Sequence, residues 1–211
     1  AEVASMFVDL RGFTTLTATS DVDDVRGVLD HFFEYITGAV FDHGGTVVKY
    51  AGDEVFAIFG APLPMGSPAE AALSTAHQIL EGAPAFRCRL EDAGLPTIGF
   101  GIGLNVGEVI AAHFGTPRRR QYDVLGDSVN VAARLCSQAM AGQAVFTESM
   151  WDEAGRPYAP VDVGGLTLKG IAEPVSCRRL DEPAGEGTTR SVTEVTDTAA
   201  DTAENYPIPT S

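Results

Sequence analysis

Two acidic residues and one helix face are where this chain could do chemistry. Asp9 interrupts an apolar run, Val3 to Leu10 (VASMFVDL), near its C-terminal end, and Asp53 sits in Ala51-Gly52-Asp53 between two short apolar runs. If those runs pair beside the first, two carboxylates converge at one sheet edge and repel unless a cation lies between them. Hard cations such as Mg²⁺ suit one or two carboxylates plus substrate phosphates. Two such ions about 3.5–4 Å apart are the usual device for in-line displacement at phosphorus. Just beyond Asp9, Arg11-Gly12-Phe13-Thr14-Thr15 reads as a turn into a short helix whose free N–H groups suit a triphosphate. Asn130 and Arg134 are four apart in a helix predicted from Asp127, so they share a face opposite the apolar stripe of Val129, Ala132, Ala133, Cys136 and Met140. An amide beside a guanidinium suits a ribose oxygen and a phosphoryl group that gains charge in the transition state. Taken singly, each feature has a plainer reading as a cap, a turn or a solvated face. Together they point to phosphoryl chemistry.

These groups need a scaffold. Val3 to Leu10 reads as a buried strand, and Ser20-Asp21-Val22-Asp23 starts like a capping box. Val22, Val25, Leu29, Phe32, Phe33, Ile36 and Val40 follow at helical spacing, ended by Gly44-Gly45. Thr46–Tyr50 and Glu54–Phe59 form a predicted hairpin around Asp53. Ser67-Pro68-Ala69-Glu70 combines an N-cap, Pro at N1 and Glu at N3, so a second long helix starts there and should kink or break near Pro84. Thr97–Leu104 carries Gly99, Gly101 and Gly103, a strand against which something packs closely. A strand over Glu108–His113 leads to the basic segment Arg118-Arg119-Arg120, then the helix from Asp127 to about Met140. Strands near Ala144–Thr147, Leu166–Lys169 and Val175–Leu180 complete the set. That order predicts an α+β fold of ferredoxin-like type, an antiparallel sheet with helices packed mainly on one face.

The chain has 211 residues, mean hydropathy +0.06, and 14 Lys plus Arg against 29 Asp plus Glu, a net charge of −15. That balance argues against broad contact with nucleic acid or anionic lipid. Three widely spaced cysteines, Cys88, Cys136 and Cys177, suggest reduced thiols and a cytoplasmic domain, whether its parent is free or membrane-anchored. The chain starts with Ala and runs at once into a strand, as a piece of a longer protein with a regulatory domain would. From Asp181 onward, seven acidic residues face one Arg and large apolar residues nearly vanish, so residues 1–180 read as the folded domain and 181–211 as an acidic, Thr/Ala/Pro-rich disordered tail or linker.

Several motifs then align. Phe7-Val8-Asp9-Leu10-Arg11-Gly12-Phe13-Thr14, Lys49-Tyr50-Ala51-Gly52-Asp53-Glu54, Gly101 to Glu108, Tyr122 to Leu135 and Leu168 to Pro174 resemble, in order, the catalytic domain of class III nucleotidyl cyclases, adenylyl type. The resemblance implies a head-to-tail homodimer whose active sites are shared by two chains. Asp9 and Asp53 of one chain would hold two Mg²⁺ or Mn²⁺ ions, with the carbonyl of Leu10 as a further ligand. Lys49 and Asp123 of the other would read the purine, Asn130 would orient the ribose, Arg134 would stabilise the α-phosphoryl transition state, and Lys169 would hold the β- and γ-phosphates. Gly12, Phe13 and Thr14 would line the phosphate turn, and Arg118 to Arg120 would belong to an arm crossing the dimer interface. The implied reaction converts ATP to 3′,5′-cyclic AMP and pyrophosphate, a phosphorus–oxygen lyase step in intracellular signalling. Two rivals differ at named residues. A diguanylate cyclase would explain Ala51-Gly52-Asp53-Glu54-Val55 but leaves Asn130, Arg134 and Lys169 without roles. A catalytically silent cyclase-like regulatory or dimerisation module usually lacks a metal Asp or the transition-state Arg, and this chain has both.

Overall fold

The computed structural model describes residues 1–171 and 173–183, so the expected tail lies, beyond Pro183, outside the described residues. The chain opens with β1 (Glu2–Arg11), a short helix α1 (Phe13–Thr19) and the long α2 (Val22–Asp42). The hairpin β2 (Thr46–Ala51) and β3 (Glu54–Phe59) follows, then α3 (Pro68–Asp92) and β4 (Gly99–Glu108). A second hairpin, β5 (Ile110–Thr116) and β6 (Arg119–Leu125), precedes α4 (Asp127–Gln138). The chain closes with β7 (Gln143–Thr147), α5 (Glu148–Glu153), β8 (Val161–Leu166) and β9 (Val175–Asp181).

Seven strands form one sheet in the order β2-β3-β1-β4-β7-β9-β8. Its first four strands, with α2 and α3 as crossovers, are the expected ferredoxin-like unit, every pair antiparallel. The β4–β7 pair is parallel, because the chain returns to the same edge through the β5–β6 hairpin and α4.

Strand alternation divides the core. Ala4, Met6, Val8 and Leu10 of β1 point to one side, where they meet Phe32 and Ile36 of α2, Leu73, Ile79 and Phe86 of α3, Leu16 of α1 and Met150 of α5. Val3 and Phe7 point to the other side, toward Val129, Ala132 and Cys136 of α4. Four helices thus share one face, and α4 alone covers the other. It sits very close, as the glycine spacing suggests. A β-carbon on Gly103 would lie 2.0 Å from the Cys136 nitrogen and 2.3 Å from the Ala132 oxygen, and one on Gly107 would lie 2.8 Å from Ser128 Cβ. The buried amide of Asn105 spans the same region: its Nδ2 donates to the Ser128 carbonyl (3.0 Å), and its Oδ1 accepts from Thr147 Oγ1 (2.8 Å).

Several local expectations need correction. Ser67 caps α3 by accepting from Glu70 N, as expected, but the helix continues through Pro84. Leu80, Ala83, Phe86 and Leu90 are buried on either side of it, and their packing outweighs the roughly 3 kcal/mol cost of an internal proline. Asp21 takes the N-cap position of α2 without a side-chain cap bond. Leu166–Lys169 is not a strand: β8 ends at Leu166, Leu168 is buried against Leu135, and the chain turns at Gly170 with φ 82°. Arg119 and Arg120 of the basic segment lie within β6, in the β5–β6 hairpin. The helix α5, too short to show a period, was not anticipated. β9 runs to Asp181, and the next residue, Glu182, pairs with Arg87 of α3.

Candidate active site

The chemistry-bearing residues gather on the α4 side of the sheet and around its rim. Asp9 follows Val3 and Phe7 in the alternation of β1, so it projects to that side. It pairs in register with Glu54, the first residue of β3, which places the Gly52-Asp53 turn beside it. Gly52 permits that turn at φ 66°, and Leu10 N approaches the Asp53 carbonyl at 3.4 Å. Burial pushes the Asp53 carboxyl above its ordinary range, and the neighbouring Asp9 charge pushes it further. Glu54 is raised in the same way, by burial and then by Asp9 and Asp53. Three half-buried carboxyls therefore crowd one corner, a donor set that a hard divalent cation would relieve. Leu10 is buried in the strand between Asp9 and Arg11. Gly12 takes a left-handed conformation at φ 82° as N-cap of α1, and Phe13 and Thr14 form its first turn, with Phe13 packed against the core.

Arg11 does not face the phosphate turn. It projects from the same side of β1 as Asp9 and reaches the end of α4. Its Nη1 donates to Asp9 Oδ2 (2.6 Å), its Nε to the Ala139 carbonyl (2.9 Å) and its Nη2 to the Cys136 carbonyl. The last turn of α4 has no basic residue of its own, so Arg11 supplies the cation favoured at a helix C-terminus. Neither this role of Arg11 nor the part Glu54 plays in the carboxyl cluster follows from local sequence pattern. Gly101 was the available signal, because a β-carbon there would lie 2.4 Å from Arg11 Nη2.

Lys49 and Asp123 meet across β2 and β6. Lys49 Nζ lies 3.0 Å from Asp123 Oδ2 and 3.2 Å from Oδ1, and 5.8 Å from the centroid of the Phe56 ring beneath it. Asp123 Oδ1 also accepts from Val124 N at 2.9 Å, which fixes the carboxylate plane. Farther along, Asn130 and Arg134 of α4 and Lys169 of the β8–β9 connection line one open groove of about 420 Å³, with Asp127, Val131 and Gly170. Neither Asp9 nor Asp53 lines that groove. The single chain therefore holds a carboxylate corner, an Asp–Lys pair and a cationic groove. Among the described residues, no group of three or more His, Cys, Asp or Glu has metal-site geometry. No helix among them is long and apolar enough to cross a membrane.

Residues 1–174 match the family described as "Adenylate and Guanylate cyclase catalytic domain". A relative in Rhizobium meliloti (strain 1021), "Adenylate cyclase 1", is 34% identical over 134 residues, 64% of this chain and 20% of the relative. An uncharacterized protein of Mycobacterium tuberculosis (strain ATCC 25618 / H37Rv) is 39% identical over 137 residues, 65% of this chain and 23% of the relative. The chain thus matches about a fifth to a quarter of these relatives' length. Among solved structures, the adenylyl cyclase CyaB from P. aeruginosa superposes with a TM-score of 0.80 at 26% identity, covering 88% of this chain and 97% of that one. The guanylyl cyclase Cya2 superposes at 0.79 and 27% identity, covering 92% and 98%.

Proposed function

Because this chain belongs to the adenylate and guanylate cyclase catalytic domain family, we propose that it acts on ATP as an adenylyl cyclase, forming 3′,5′-cyclic AMP and pyrophosphate. Overall likeness does not choose the base, since an adenylyl and a guanylyl cyclase resemble the chain almost equally. The observation that carries the choice is the Lys49–Asp123 pair. Adenine presents an acceptor at N1 and a donor at its N6 amine. An ammonium has three donors and a carboxylate several acceptor positions, so Lys49 can donate to N1 and Asp123 accept from N6 while the two stay paired. Guanine reverses both edge groups and meets the wrong partner twice. A site built around such bonds discriminates by roughly 10⁴-fold or more.

The remaining residues take complementary roles. Asn130 orients the ribose, Arg134 faces the α-phosphoryl group as its charge grows, and Lys169 holds the β- and γ-phosphates. The ribose 3′-hydroxyl attacks the α-phosphorus in line, and pyrophosphate leaves. Asp9 and Asp53, with the Leu10 carbonyl, would hold two divalent ions, Mg²⁺ or Mn²⁺, whose Lewis acidity supports attack and departure when bound. The separation of the carboxylate corner from the cationic groove supports a head-to-tail homodimer in which each site draws its carboxylates from one chain and the rest from the other.

A product assay tests the reading: the protein is incubated with ATP or GTP and Mn²⁺ over a range of protein concentrations, and the products are identified by mass. Cyclic AMP from ATP, with specific activity rising as the protein is concentrated, is the expected result. Cyclic GMP as the main product overturns the base assignment, cyclic di-GMP from GTP replaces the reaction class, and no product at any concentration favours a silent module.

A further inference from the structure

The guanidinium of Arg11 is held on three sides. Nε and Nη2 donate to the Ala139 and Cys136 carbonyls at the end of α4, and Nη1 donates to Asp9 Oδ2 at 2.6 Å. Nη2 also lies 3.7 Å from Cys136 Sγ. The slot is closed by Gly101, which pairs in register with Asp9 and where any β-carbon would lie 2.4 Å from Nη2 and 2.8 Å from Nε. Two main-chain carbonyls of a packed helix fix the fork, so it has no room to swing away when a cation arrives. Among the described residues, Arg11 is the one basic side chain paired with the Asp9 carboxylate, and it takes Oδ2.

We propose that Arg11 is a positioning residue that occupies one oxygen of Asp9 and so leaves only the other to face the two catalytic ions. This deepens the metal reading given above and rests on it. A carboxylate limited to one free oxygen fits small ions that demand octahedral geometry, such as Mg²⁺ and Mn²⁺. Ca²⁺ takes six to eight oxygens and readily accepts bidentate carboxylates. Arg11 thereby selects against Ca²⁺ at a corner rich in carboxylate oxygens. The anchor sits on α4, the helix that carries Asn130 and Arg134, so the same guanidinium sets the position of Asp9 relative to that helix.

The test measures ion preference apart from turnover. Mn²⁺ binding to the full chain is followed by electron paramagnetic resonance with α,β-methylene-ATP present and nucleotide alone as blank, and Ca²⁺ is then titrated to displace it. Wild type is compared with Arg11→Met and Arg11→Lys, each checked for folding by circular dichroism. Lysine keeps the charge but cannot serve two carbonyls and a carboxylate at once, so it decides the matter if the Met variant does not fold. In the folded variants the Ca²⁺-to-Mn²⁺ affinity ratio should rise about tenfold, and kcat with Mg²⁺ should fall about 10–100-fold with KM for ATP little changed. An unchanged ratio in a folded variant, or equal loss of both ions, overturns the proposal even if activity falls. Wild type that binds no Mn²⁺ sinks the metal reading itself, and this inference with it.

Discussion

The two faces of the sheet are built on opposite principles. On the side of α2 and α3, large side chains interdigitate: Phe32, Phe86 and Phe100 are fully or nearly fully buried, and Tyr35 stacks on Phe86 with centroids 5.0 Å apart. On the other side, β4 offers glycines, and α4 lies almost directly on the backbone. The first arrangement buries apolar area and tolerates small adjustments. The second fixes a helix axis closely and leaves little room for error. Every residue assigned to catalysis or base reading lies on the second side or at its rim.

The sharpest break comes at the proposed reacting groups. Asp53→Asn and Arg134→Ala should each lower turnover by at least about 100-fold while leaving the circular dichroism melt in place. If the site is shared, mixing the two inactive chains should restore activity to at most about a quarter of wild type, because half of the dimers are mixed and each has one intact site. No recovery, with mixed dimers shown to form, removes the shared geometry. On the packed face, Phe86→Ala should cost about 3–5 kcal/mol in denaturant unfolding, with activity per folded molecule unchanged. On the glycine face, Gly103→Ala should cost at least about 1–3 kcal/mol, because its β-carbon would fall on the α4 backbone, and should also reduce kcat in the folded fraction, because the helix carrying Asn130 and Arg134 must move. Equal activity per folded molecule in these last two variants would erase the contrast between the faces.

The smallest effect is one of pH. The Asp53 and Glu54 carboxyls are raised in the fold, by burial and mutual repulsion. The metal-free folded chain therefore binds more protons than the unfolded one just above the ordinary carboxylate range, and it loses stability as pH rises through that window. Mn²⁺ should cancel this slope in wild type and fail to do so in Asp53→Asn, as melting temperatures across pH would report.

Much of this was legible in the residues. The cap at Ser67, the turn at Gly52 and the glycines of β4 carry their structural meaning in their chemistry, and each sits where expected. Asp9 and Asp53 meet because a hairpin and a buried strand leave few ways to pair. What local pattern does not encode is tertiary choice. Pro84 stays helical because its neighbours are buried, and Lys169 lies on a turn because Leu168 is anchored beneath it. Arg11 looked like part of a phosphate turn because its next neighbours are Gly, Phe and Thr. Its direction depends on β1 alternation and on a helix more than a hundred residues later.

Asn105 gives that helix its other fastening. Its amide offers a donor to the Ser128 carbonyl and an acceptor to Thr147, so neither Asp nor Leu reproduces both bonds at that position. With Arg11 gripping the far end, α4 is clamped like a beam at both supports. Asn130 and Arg134 project from between these two fastenings. On the proposed function, the helix axis that carries these two side chains is set by packing and hydrogen bonds before nucleotide arrives, so less would have to be ordered on binding.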